Sequence, residues 1–119
     1  MQYMALIYAD ETAWETLDDD ARAAVYRGYR ELADDARAAG VMLGGDELAS
    51  TRDATTVRVR EGQSLVVDGP YAETKESLGG YFLFECVTIE EAVDWAARIP
   101  AAEHGAIEVR PVHVDRAEA

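Results

Sequence analysis

The sequence predicts an α+β domain: a sheet with two helices on one face and an added hairpin. Three observations carry this expectation. Apolar residues alternate in several short runs, and in two longer stretches they recur at steps of three and four. Turn residues then divide the chain in the order β-α-β, hairpin, β-α-β. Two helices with one apolar face each can cover only one side of a sheet.

Gln2–Tyr8 alternates around aromatic and aliphatic residues and reads as the first strand. Asp10–Leu17 follows as an irregular or single-turn segment. Asp18–Asp20 can cap a helix and favour its positive end. Ala21, Val25, Tyr29, Leu32 and Ala36 share one face of that helix, which runs over residues 19–39 and ends at Gly40. Val41–Leu48 reads as a second strand, interrupted by Gly44 and Gly45. Thr55–Arg60 and Gln63–Val67 flank Glu61-Gly62, a hairpin turn. Thr56, Arg58 and Arg60 fall on one side of its first arm, with Thr55, Val57 and Val59 on the other.

Tyr81–Val87 is the strongest strand pattern in the chain. Thr88-x-x-Glu91 is a capping box, and Ala92, Trp95, Ala96 and Ile99 give the face of the helix it opens. Pro100 stops that helix. Ile107–Val114 is the last strand, where Pro111 marks an edge or a bulge.

The Tyr81–Val87 strand is apolar on both sides, with Tyr81, Leu83 and Val87 opposing Phe82, Phe84 and Cys86. A second layer has to cover the face the helices leave. The simplest supplier is another copy of the chain, so a homodimer with two sheets face to face is expected.

Residues 1–119 form one domain, and a hydrophobic content of 49% fits a packed core. The net charge of −13 repels phosphate backbones and argues against direct nucleic-acid binding. No apolar run approaches membrane-spanning length, and nothing resembles a signal peptide, so no membrane association and a cytoplasmic location are expected. Cys86 reads as a small buried hydrophobe. Phosphate loops, the nucleophile elbow and the H-E-x-x-H pattern are absent, and His104 and His113 lack helical ligand spacing. No metal and no cofactor are expected.

The chemistry-bearing segment is Asp68–Gly80, DGPYAETKESLGG, read as a long charged loop between strands. Gly69-Pro70 would set the direction of the chain, and Gly79 and Gly80 would let backbone approach closely. Asp68, Glu73 and Lys75 are the candidate catalytic groups, the carboxylates as acid or base and the only lysine as an electrostatic clamp. Tyr71 and Tyr81 are candidate walls and hydrogen-bond donors of a ligand site. Glu85 and Arg110 complete the candidate ligand-binding set, as charged members of an inner-face Arg–Glu cluster. An architectural loop and exposed strand-end charges explain the same residues without a site, and both readings stand at this point.

The DGPYAETKESLGG run closely resembles the DGPF-domain branch of the YCII-related family, with Tyr71 in place of the usual Phe. The resemblance extends to Met1–Tyr8, to Thr55–Arg58, to Trp95–Pro100 and to Glu108–Val112. It implies a ferredoxin-like antiparallel α+β fold that dimerises into an α/β barrel. It also implies kinship with small barrel enzymes acting on aromatic or polyketide-like compounds, with lyase-like or proton-transfer chemistry on a small organic molecule. A His–Asp pair has been proposed in other YCII-type proteins, but the first half of this chain contains no histidine to carry it. The alternative implied function is a non-catalytic ligand sensor or partner protein associated with an extracytoplasmic-function sigma factor.

Overall fold

A computed structural model describes residues 1–114 of the chain; of the single domain expected over 1–119, residues 115–119 lie outside the described residues. The elements follow the predicted order. They are β1 (Gln2–Ala9), α1 (Glu11–Glu15), α2 (Asp19–Ala38), β2 (Met42–Glu47), β3 (Thr55–Arg60), β4 (Gln63–Asp68), β5 (Ser77–Glu85), α3 (Ile89–Ala96) and β6 (Ala106–Pro111). Short 3-10 turns cover Thr51–Asp53 and Pro100–Glu103.

Four strands form one antiparallel sheet in the order β2-β5-β1-β6, the arrangement of a ferredoxin-like α+β fold. The hairpin β3–β4 is a separate sheet of its own. β6 is an edge strand, which is where Pro111 can be tolerated without a ladder donor.

The helix ends are built as the sequence requires. The Asp18 carboxylate accepts from the Ala21 N–H, and Asp19 and Asp20 sit in the first turn of α2. At its other end Val41 N–H donates to Ala36 O and Gly40 N–H to Arg37 O, with Gly40 at φ +72. This pair of bonds closes the helix around a left-handed glycine. For α3, the Thr88 hydroxyl accepts from Glu91 N–H. The Glu91 carboxylate reaches back to the N–H of Val87, one residue before the cap itself.

α2 and α3 cover one face of the sheet. Tyr3, Ala5 and Ile7 of β1 and Phe82 and Phe84 of β5 are buried there, against Leu32 and Ala36 of α2 and Ala92 and Ala96 of α3. Ring contacts run through this layer from Tyr29 to Phe82, Phe84 and Trp95. Phe84 is fully buried, a side chain whose burial stabilises by roughly 1.5–3 kcal/mol. Cys86 is buried, as predicted, and that burial pushes its thiol pKa up.

The opposite face carries Met4, Leu6, Tyr81 and Leu83 in its central strands, with Glu108 and Arg110 on β6 beside them. The core helices pack on the other side and leave this face open.

Several boundaries differ from expectation: β6 ends at Pro111 and not at Val114, and the largest shift is at the start of β5. β5 begins at Ser77, so the loop closes at Glu76 and both Gly79 and Gly80 lie inside the strand. Gly80 pairs with Ile7 on one side and Glu47 on the other, and a Cβ there would stand 2.9 Å from the Asp46 carbonyl oxygen. The glycine permits close strand approach, as anticipated, but it extends the sheet and does not end the loop.

Candidate functional site

The loop leaves β4 through Gly69, whose φ of +107 lies in a region L side chains avoid. Its backbone is tied down on both sides. Gly69 N–H donates to Ala54 O at 2.7 Å, and the Thr56 hydroxyl donates to Gly69 O at 2.8 Å. Further along, the Thr74 hydroxyl donates to Glu76 O at 2.6 Å. The loop therefore has a fixed path at its base.

Asp68, Glu73 and Lys75 come together along a shallow groove of about 470 Å³ that they share with Asp10, Glu11, Thr51 and Arg52. Glu11 organises the far wall. Its carboxylate accepts from the Thr51 N–H at 2.8 Å, the Ser50 hydroxyl at 3.0 Å and the Thr51 hydroxyl at 3.2 Å. The backbone bond from Thr51 leads in holding its pKa below the ordinary value. The Asp10 carboxylate caps α1, accepting from Thr12 N–H at 2.9 Å and the Thr12 hydroxyl at 2.7 Å. The Thr12 hydroxyl is the first cause of its lowered pKa, and the charge of Lys75 adds to it.

A larger open groove, about 1690 Å³, adjoins the first and shares Asp10, Glu11, Arg52, Lys75 and Ser77 with it. Its lining includes Tyr29, Met42 and Phe82 from the core layer, and Trp14 and Tyr26 from α1 and α2. Trp14 and Tyr26 meet edge to face at 5.3 Å, and the Arg22 guanidinium lies 5.7 Å from the centre of the Trp14 ring. Arg22 also donates to Trp14 O at 3.2 Å and to Glu15 O at 3.0 Å, satisfying carbonyls at the end of α1.

Two phenols border the β2 side. Tyr26 donates to Glu47 Oε1 at 3.2 Å, and Tyr81 donates to Asp46 Oδ2 at 3.1 Å. Burial raises the Tyr26 pKa above 10.0, with Glu47 adding to it, and the bond to Asp46 raises that of Tyr81. Both remain protonated donors at neutral pH.

The predicted site residues thus divide. Asp68, Glu73 and Lys75 share the small groove, and Tyr81 lies on the lining of the large one. Tyr71 is 78% exposed and lines neither. Glu85 and Arg110 belong to the open sheet face, away from both grooves. On that face the Glu85 carboxylate meets the Met1 amino group at 3.0 Å.

The candidate residues read from the sequence do not include Trp14, Tyr26, Glu11, Arg22 or Arg52. Trp14 and Tyr26 sit on separate helices, so no single period joins them. Glu11 acts on Ser50 and Thr51, a contact no local pattern reveals. Among the described residues no three His, Cys, Asp or Glu side chains gather as metal ligands, and no helix is long and apolar enough to cross a membrane.

The sequence pattern of the YCII-related domain matches residues 1–114. The chain is also similar to an uncharacterized protein of Rhizobium meliloti (strain 1021), 37% identical over 121 residues, an alignment that covers 94% of this chain and 92% of that one.

Proposed function

The chain belongs to the YCII-related family, and from that premise we propose that it binds a small organic molecule of aromatic or polyketide-like character. The observation that carries this reading is the pair of adjoining grooves, aromatic along one and charged along the other, with Lys75 on both. Pockets for small molecules combine apolar walls with a few placed polar groups. Trp14 and Tyr26 would stack on the ligand, and the Tyr81 phenol oxygen, whose proton goes to Asp46, would accept from it. Lys75 would clamp an anionic substituent. Asp68 or Glu73 would give or take a proton if the ligand is turned over in lyase-like or proton-transfer chemistry.

The working unit in this reading is a cytoplasmic homodimer, with a second copy lying against the open sheet face. Met4, Leu6, Tyr81 and Leu83 support it, because an apolar sheet face is otherwise left to water.

The second reading is a non-catalytic ligand sensor or partner protein in an extracytoplasmic-function sigma-factor circuit. The fixed wall of the small groove is in keeping with it. Asp10 and Glu11 have lowered pKa values because the chain's own N–H and hydroxyl groups bind their charged forms. Such carboxylates are suited to holding a wall in place and poorly suited to exchanging protons near neutral pH.

Calorimetric titration with a panel of phenols and hydroxyquinones, after native mass spectrometry for a co-purified ligand, tests the site. Binding should weaken about tenfold or more in Trp14→Ala and in Lys75→Ala. Affinity unchanged in both variants would remove the groove from consideration. Product formation that disappears in Asp68→Asn or Glu73→Gln marks an enzyme, whereas binding without product marks a sensor.

A further inference from the structure

Tyr26, Tyr29 and Tyr81 all line the large groove, and they differ in what holds their protons. Tyr26 donates to Glu47 and Tyr81 to Asp46, whereas Tyr29 has no such acceptor among the described residues. Among those residues no side-chain oxygen is both sealed from water and without a partner, so the half-buried Tyr29 keeps its hydroxyl open to the groove.

The ring is held in place. It stacks on Phe82 at 6.3 Å and 17°, and Phe82 stacks in turn on the fully buried Phe84. Gly28, the preceding residue, lets the Pro100–Glu103 turn come close to α2, since a Cβ there would stand 3.1 Å from Pro100 Cγ. From that turn the Ala101 N–H is directed at the phenol oxygen. An oxygen that accepts on one side presents its own proton on another. Tyr29 is therefore a pre-oriented donor on the floor of the groove, which it shares with the core residues Ile7 and Phe82.

Charge narrows the kind of acceptor. Burial leads in raising the Tyr29 pKa above 10.0; the Ala101 N–H works against that and the Glu47 charge with it. The hydroxyl keeps its proton at neutral pH. Glu47 is also the charged side chain whose field acts on this phenol, while Lys75 and Arg52 stand where the two grooves join. An anionic oxygen bound at Tyr29 would be repelled by the Glu47 carboxylate, and a neutral carbonyl oxygen would not.

We propose that Tyr29 is the specificity-determining donor of the large groove, and that it selects aromatic ligands carrying a neutral carbonyl. An anionic substituent on the same ligand points away from it, toward Lys75. This rests on the ligand-binding reading above and deepens it, by assigning the inner end of the ligand to one residue and one functional group. A donor fixed in an apolar wall favours the matching ligand by the bond it makes, and disfavours others because it is then left without a partner.

Calorimetric titration of the full chain with two planar probes of the same shape tests this. Para-acetylbenzoate carries the carbonyl, and para-isopropenylbenzoate has a methylene group in place of its oxygen. Wild type should bind the first about tenfold more tightly than the second. Tyr29→Phe keeps the ring on Phe82 and removes only the hydroxyl, so it should bind the two probes alike. The carbonyl carbon resonance of bound para-acetylbenzoate should move downfield in wild type and stay near its free position in Tyr29→Phe, a signature that a purely structural role would not produce. Terephthalate, with a second carboxylate in place of the acetyl group, should bind more weakly, and Glu47→Gln should recover part of the loss. Equal affinity of wild type for the two planar probes while Lys75→Ala weakens both, or a preference that survives in Tyr29→Phe, overturns the Tyr29 assignment and leaves the groove standing. Terephthalate binding more tightly than para-acetylbenzoate overturns the neutral inner end. A wild-type chain that takes up neither planar probe at millimolar concentration overturns both readings.

Discussion

Glu11 lies in the first turn of α1 and holds the Ser50–Thr51 corner from which the hairpin departs. Two hydroxyls and a backbone N–H converge on one carboxylate, and removing it leaves three donors to find water. Glu11→Ala should therefore lower stability by about 1–2 kcal/mol in urea denaturation at pH 7. The pH dependence has a definite sign. Hydrogen bonding holds the folded-state pKa of Glu11 below its ordinary 4.5. Its stabilisation is present above the unfolded-state value and is lost as pH falls through the folded one. The gap between wild type and variant should close below about pH 4 and stay constant from about pH 6 upward. A gap that widened on acidification would show that the carboxylate is not what joins the two segments. Asp68, Glu73 and Lys75 stand out in the sequence as candidates because they crowd one unusual loop. Glu11 and Arg22 do not, because their partners are brought to them only by folding.

The sheet shows the same division between local and distant information. β1, α2, α3 and the hairpin were legible because their periods and caps are written within single segments. The start of β5 was not: a Gly-Gly pair reads as a turn until the neighbouring strands are known. Gly45 makes the point testable. A Cβ there would lie 2.8 Å from both the Tyr81 carbonyl oxygen and a Phe82 ring carbon, so β2 would have to move away from β5. Gly44, in the same edge strand, has nothing within 4 Å of its Cβ position. Gly45→Ala should cost roughly 1–3 kcal/mol in urea denaturation. Gly44→Ala should stay within about 0.5 kcal/mol of wild type. Equal effects would mean that backbone freedom in β2, not close approach to β5, selects both glycines. The division of the candidate site has a related cause. Tyr81 and Glu85 share a strand face, which the period of two predicts, but the grooves depend on where α1 and the Ser50–Thr51 corner settle.

At the scale of the whole molecule, composition and shape pull in opposite directions. An uncovered sheet face and an uncovered β3–β4 hairpin favour association, while a charge of −13 on each chain opposes it. The apolar contact acts at short range and is nearly independent of salt, whereas the net repulsion extends over the Debye length, about 10 Å at 0.1 M salt. Local attraction between arginines and acidic side chains across the interface is screened as well, but it involves few pairs against the whole acidic surface. Raising sodium chloride from about 0.05 M to about 0.5 M, which shortens the screening length roughly threefold, should therefore tighten the proposed homodimer. Sedimentation equilibrium across that range would give the slope directly, with the dissociation constant falling several-fold. A constant that rises with salt would mean that ion pairs across the interface outweigh the net charge. In that case Arg110→Gln, which removes the cation beside Met4 on the open sheet face, should reduce the slope, which separates specific pairing from long-range repulsion.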